Sequence, residues 1–114
     1  MGRTRVGTSR AAEDAIAVLG QQIRMARAAR GMTADELAGT AGISRTTVHS
    51  IERGAATTSI GTVFNVATIV GVPLFGVDDP SELIALRRRG EERLALLPAR
   101  VDRPRGGNSD GLDF

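Results

Sequence analysis

The 114-residue sequence predicts an all-α protein of about five helices, and three observations carry that expectation. Apolar residues recur at three- and four-residue spacing from Ile16 to Val70, the period of helices with one buried face. The periodic stretches are bracketed by starting residues (Thr33, Ser44, Asp79) and by stopping glycines (Gly31, Gly42, Gly54, Gly71). Aromatics are confined to Phe64, Phe75 and Phe114, so the core is built from Leu, Ile, Val and Ala. That composition suits helices packed on helices better than a β-sandwich.

Residues 1–11 are polar, basic and aperiodic, and are expected to form a disordered arm ahead of a folded domain at residues 12–77. From Ala15 the pattern turns helical: Ile16, Leu19, Ile23 and Ala26 form one stripe that ends near Gly31. Thr33 and Glu36 have the spacing of a capping box, in which each side chain bonds the other's backbone amide. Leu37 and Ala38 then face inward, and Gly42 ends this short second helix. Ser44 caps a third helix, Arg45 to Arg53, with Val48 and Ile51 on its buried side and Gly54 at its end. A fourth helix starts at Thr58 or Ser59, presents Ile60, Val63, Ala67 and Val70, and stops at Gly71. The apolar segment Val72–Val77 reads equally as strand or turn. Asp79, Pro80 and Glu82 repeat helix-start chemistry for a fifth helix within 78–97, whose Leu83, Leu86, Leu94 and Leu97 form a stripe suited to dimer or core packing. Residues 98–114, rich in Arg, Pro, Gly and Asp, read as a flexible tail.

Composition excludes several functions. The absence of cysteine removes disulfides, thiolate metal sites and a cysteine nucleophile. A single histidine, His49, cannot build a histidine metal cluster, and no phosphate loop or clustered carboxylate pair suggests an enzyme or a cofactor. The apolar stretch from Ile60 to Val77 is too interrupted to span a membrane, and the basic N-terminus lacks a signal peptide's apolar run. A cytoplasmic protein is expected. All fifteen basic residues are arginine, whose planar fork suits phosphate and guanine. Residues 1–60 carry eight arginines and five acids, residues 61–114 seven and eight, so the excess positive charge lies toward the front.

The second and third helices, joined through Gly42 and Ile43, have the form of a helix-turn-helix. The tight turn crosses the helices steeply, so the second projects its outer face into a DNA major groove. With Leu37, Ile43, Val48 and Ile51 buried, Arg45, Thr46, His49, Ser50 and Arg53 are left outside as donors and acceptors for base edges and phosphates. Ser44 is a helix cap first and a DNA contact second. His49 reads as a solvent-facing side chain rather than a catalytic one, because no nucleophile with a carboxylate relay accompanies it. Arg3, Arg5 and Arg10 fit a solvated arm better than one that enters a minor groove, and Arg87, Arg88 and Arg89 an exposed face balanced by Glu91 and Glu92.

The run from Leu19-Gly-Gln-Gln-Ile23 through Gly31-Met-Thr33-Ala-Asp-Glu36-Leu37-Ala38, Ala41-Gly42-Ile43-Ser44 and Ile51-Glu52-Arg53-Gly54 resembles the lambda-repressor/Cro-like (XRE) family, over about half the chain in one register. The resemblance implies that Arg45, Thr46 and Ser50 face bases and that Thr47, Arg53 and Thr57 lie near phosphates. It also implies an Arg27–Glu52 pair tying the first helix to the recognition helix. One position departs from the pattern. Ala34 stands where the family usually has a phosphate-binding Gln, which leaves the backbone amides of that helix end as the remaining donors.

The continuation Gly71-Val-Pro-Leu-Phe-Gly-Val77-Asp-Asp-Pro80, the segment Arg87 to Val101, Thr58-Ser-Ile-Gly-Thr62-Val-Phe64, and the terminal Asp113-Phe114 are similar to HipB-like antitoxins. That similarity implies a homodimer on a palindromic operator in double-stranded DNA, which also holds a HipA-like Ser/Thr kinase inactive. Leu112 and Phe114 are then the candidate partner-binding residues. The alternative is a stand-alone XRE regulator without a toxin partner.

Overall fold

Ser9 opens the first helix. Its hydroxyl accepts the Ala12 amide at 3.0 Å, and α1 runs Arg10–Ala29. The computed structural model describes residues 7–101. The helix thus begins six residues before the apolar stripe at Ile16, and Arg10 and Ala11, expected in the disordered arm, belong to it, with Ser9 as its cap. The reason is local. Alanine is the strongest helix former, and a Ser cap with Glu13 in the first turn stabilises the positive helix end without any buried contact. Arg3 and Arg5 lie outside the described residues, as do Leu112 and Phe114.

The capping box at Thr33 is complete: Thr33 Oγ1 accepts the Glu36 amide at 3.0 Å, and Glu36 Oε1 accepts the Thr33 amide at 2.8 Å. It starts α2, Ala34–Ala41, which Gly42 ends at φ 73°. Only a residue without a Cβ adopts that left-handed conformation at little cost. It lets the Ile43 amide turn back to the Ala38 carbonyl at 3.0 Å. Ser44 caps α3, Arg45–Glu52, and Ser59 caps α4, Ile60–Val70. The segment after α4 is a turn rather than a strand, with one isolated bridge between Leu74 and Val77. Phe75 and Gly76 both have positive φ, 55° and 73°, the pattern of a two-residue hairpin turn. Phe75 lays its ring edge-on to Phe64 at 5.9 Å.

Ile23, Leu37, Val48, Ile51, Val66, Val70 and Val72, with Ala38 and Ala67, form the buried core shared by α1, α2, α3 and α4. Fully burying one such Val, Leu or Ile contributes roughly 1.5–3 kcal/mol. The approach of α1 to α3 depends on Gly20, which is buried. A Cβ there would lie 2.5 Å from the Ile51 carbonyl oxygen and 2.8 Å from that of Glu52. A helix-interior glycine is unfavourable by about 1 kcal/mol relative to alanine. Here its bare Cα lets α1 rest directly on the C-terminal turn of the third helix.

The chain divides into two units, Met1–Asp78 and Asp79–Phe114. In the second, the Asp79 carboxylate accepts the Ser81 amide at 3.0 Å and starts α5, Pro80–Ala95. No α5 residue is buried, and Ile84, Leu86 and Leu94 are exposed. Leu97, expected on the leucine stripe, lies beyond the helix end because the last turn closes at Leu96. Among the described residues no helix is long and apolar enough to cross a membrane.

Candidate nucleic-acid interface

Helix α3 carries the candidate interface, and three of its residues anchor it. Val48 and Ile51 are buried apolar side chains, and Glu52 is its one buried charged residue. At about 100° per residue, that inner face leaves Thr46, Ser50 and Arg53 pointing directly away from the core. Arg45 and His49 fall on one flank and Thr47 on the other. Thr46 and Arg53 are exposed, whereas Ser50 and His49 are half-buried. The chain after α3 folds back beside Ser50, where the Ala55 amide donates to its carbonyl at 2.9 Å. His49, expected to face solvent, therefore sits at the edge of the outward strip.

Ser44 and Thr47 are engaged with each other. Ser44 Oγ accepts the Thr47 amide at 3.0 Å, and the two hydroxyl oxygens are 2.9 Å apart. Each hydroxyl still has a lone pair for a further partner, but their first role is to fix the start of α3. Thr57 is exposed in the segment between α3 and α4. Seven of the eight expected DNA-binding residues thus lie along one helix and its caps, with Thr57 just beyond it.

The orientation of that helix is set by the Arg27–Glu52 pair. Arg27 Nε donates to Glu52 Oε2 at 2.7 Å and Nη2 donates to Oε1 at 2.9 Å, a two-pronged contact between helices 25 residues apart in sequence. Only 14% and 5% of the two side chains remain exposed. Burial of that degree makes the geometry hard to relax, since either charge alone would be left without a partner away from water. The remaining Arg27 prong donates to the Met32 carbonyl at 3.0 Å, so one guanidinium locks α1, the α1–α2 turn and α3 together. The hydrogen bond to Glu52 raises Arg27 above its already high ordinary pKa, against the opposing effect of burial. No buried side-chain nitrogen or oxygen among the described residues lacks a partner.

Two contacts of this region have no signature in the sequence. Arg30 Nη1 donates to the Ile69 carbonyl at 2.9 Å and satisfies a carbonyl near the end of α4. Asp35, in the first turn of α2, lies 3.6 Å from the Arg45 guanidinium. The α2 start is also less suited to a phosphate than the departure at Ala34 suggested. Asp35 and Glu36 place two carboxylates in its first turn, and the Thr33 and Glu36 amides are used by the capping box. Opposing this, Arg45 and Arg53 put two positive charges at the ends of α3, whose own acid, Glu52, is already paired inward.

The helix-turn-helix domain family model matches residues 18–78. The chain belongs to that family. The matched span contains the Gly20 crossing, the Arg27–Glu52 pair and every candidate DNA contact from Ser44 to Thr57, and it stops before α5. Helix-turn-helix domains present their second helix to DNA, and DNA is the partner that this membership assigns. No curated protein and no solved structure matches the chain.

Proposed function

We propose that this helix-turn-helix protein is a sequence-specific transcriptional repressor that reads a palindromic operator as a homodimer, inserting α3 into the major groove of each half-site. The observation that carries the reading is the outward strip of α3. Thr46, Ser50 and Arg53 on that strip, with Arg45 on its flank, combine base-reading and phosphate-binding chemistry on a helix held from behind by a buried ion pair. The homodimer is supported by the apolar surface of α5, where Ile84, Leu86 and Leu94 are exposed. Duplexes selected from random sequence by the full-length chain test the reading. Enrichment of an inverted repeat, bound at two chains per duplex, is expected; uniform binding to all duplexes contradicts it.

The finer role we propose is that of a HipB-like antitoxin, which represses its own operon and neutralises a HipA-like kinase. Its support is the resemblance of Thr58–Phe64, Gly71–Pro80, Arg87–Val101 and the terminal Asp113-Phe114 to such proteins. A kinase reading frame beside this one, and loss of kinase binding but not operator binding on deleting residues 99–114, are the expected results. Kinase binding as tight as that of the full chain would remove the tail, with Leu112 and Phe114, from the toxin contact. Absence of a kinase partner leaves a stand-alone regulator.

A further inference from the structure

Arg45, the first residue of α3, lies on the flank of the helix, and it does not stand alone. The Asp35 carboxylate, from the first turn of α2, lies 3.6 Å from Arg45 Nε, and both side chains are otherwise well exposed, at 64% and 70%. The geometry matters because of which nitrogen faces the acid. An arginine reading guanine uses two parallel N–H groups against O6 and N7, and with Nε turned toward Asp35 both terminal nitrogens remain free to form that fork. At 3.6 Å the contact is an ion pair rather than a hydrogen bond, so it biases the arginine toward one side of the helix through charge alone. The same carboxylate also places a negative charge beside Arg45, which opposes phosphates of any sequence alike.

We propose that Asp35 is a positioning residue for base reading: it aims the Arg45 fork at a guanine and suppresses binding of Arg45 to phosphates at random. The inference rests on the assignment of α3 as the reading helix. Asp35 is thereby a determinant of specificity that need not touch a base itself, and removing its charge tightens non-specific DNA while blurring one position of the operator.

The test uses full-length chains carrying Asp35→Asn, Arg45→Ala, or both, on duplexes selected by the unaltered protein and on versions with each half-site position changed in turn. Exposed ion pairs are weak, so Asp35→Asn is expected to lower discrimination at the Arg45 position by about two- to fivefold. It is also expected to raise affinity for unselected duplex and steepen its salt dependence. In the Arg45→Ala background Asp35→Asn should leave base preference unchanged. A merely structural role at the α2 start would move the melting temperature and leave base preference intact, which overturns the proposal. So does an equal loss of discrimination with and without Arg45. If Arg45→Ala itself alters no base preference, the reading of α3 falls and the inference with it. If only Asp35→Asn is silent, the inference alone falls.

Discussion

Replacing Gly20 by alanine places one methyl group where α1 rests on the end of α3, and local propensity and packing predict opposite outcomes. Helix propensity alone favours the substitution by about 1 kcal/mol, because glycine loses more backbone entropy on entering a helix. The added Cβ, however, would sit 2.5 Å from the Ile51 carbonyl oxygen and 2.8 Å from that of Glu52. Carbon–oxygen contacts settle at roughly 3.3–3.6 Å, so the helices must separate by most of an ångström. Backbone lies on both sides, and no flexible side chain can move aside. Overpacking of this kind costs about 1–3 kcal/mol, here toward the upper end, which leaves a net loss of about 1–2 kcal/mol. For a domain of this size that corresponds to a fall in Tm of roughly 5–15 °C. Thermal unfolding followed by far-UV circular dichroism measures it, with Gly39→Ala as the control. Gly39 lies within α2, has nothing within 4 Å of its would-be Cβ, and should gain up to about 1 kcal/mol from the same change. If Gly20→Ala is as stabilising as Gly39→Ala, α1 and α3 do not approach as described.

Arg27→Ala and Glu52→Ala should each destabilise by about 3–5 kcal/mol, because each leaves an uncompensated, largely buried charge. An Arg27→Met, Glu52→Leu double variant should recover much of that loss in denaturant unfolding. Arg53→Ala should weaken specific and non-specific DNA alike and lower the slope of log affinity against log salt by about one; an unchanged slope would remove Arg53 from the phosphates. The Asp79 carboxyl is held below its ordinary pKa chiefly by the Ser81 backbone amide, with a side-chain contact to Ser81 adding to it. A depressed folded-state pKa means that its capping contribution is full above the unfolded value of about 3.9 and is lost as pH falls through the lower folded value. The helicity difference between wild type and Asp79→Ala should therefore be constant at neutral pH and vanish in acid.

What was legible in the sequence was what is encoded by neighbours. The capping box at Thr33 and Glu36, the Ser44 cap and the left-handed Gly42 involve residues within a few positions of one another, so the two short helices and their turn could be placed closely. The outward placement of Thr46 and Arg53 follows from the same periodicity, whereas Arg45 and His49 lie on the flank of α3 and Ser50 is half-buried. The start of α1 is invisible to the apolar pattern because Ala11, Ala12, Glu13 and Asp14 carry no apolar rhythm. A cap at Ser9 and good helix formers extend a helix without one. The Val72–Val77 segment was ambiguous because its apolar residues suit a strand. The positive φ of Phe75, a residue that rarely adopts it, closes a turn instead. The Arg27–Glu52 pair came from family resemblance, since nothing in a 25-residue separation signals contact. Gly20, Asp35 and the Arg30–Ile69 bond were invisible for the same reason: each acquires its role only when helices cross.

If α3 reads bases, with Arg45 at its flank contributing to the reading, the ratio of specific to non-specific affinity falls in Arg45→Ala. At one fixed salt concentration, titrations of selected and unselected duplex with the wild type and the variant give that ratio. Loss of about 1–3 kcal/mol on the selected duplex, confined to one position of each half-site and with unfolding unchanged, is expected. An equal loss on both duplexes would make Arg45 a phosphate contact, and an unaltered ratio at every position would contradict the assignment of Arg45 as a base reader.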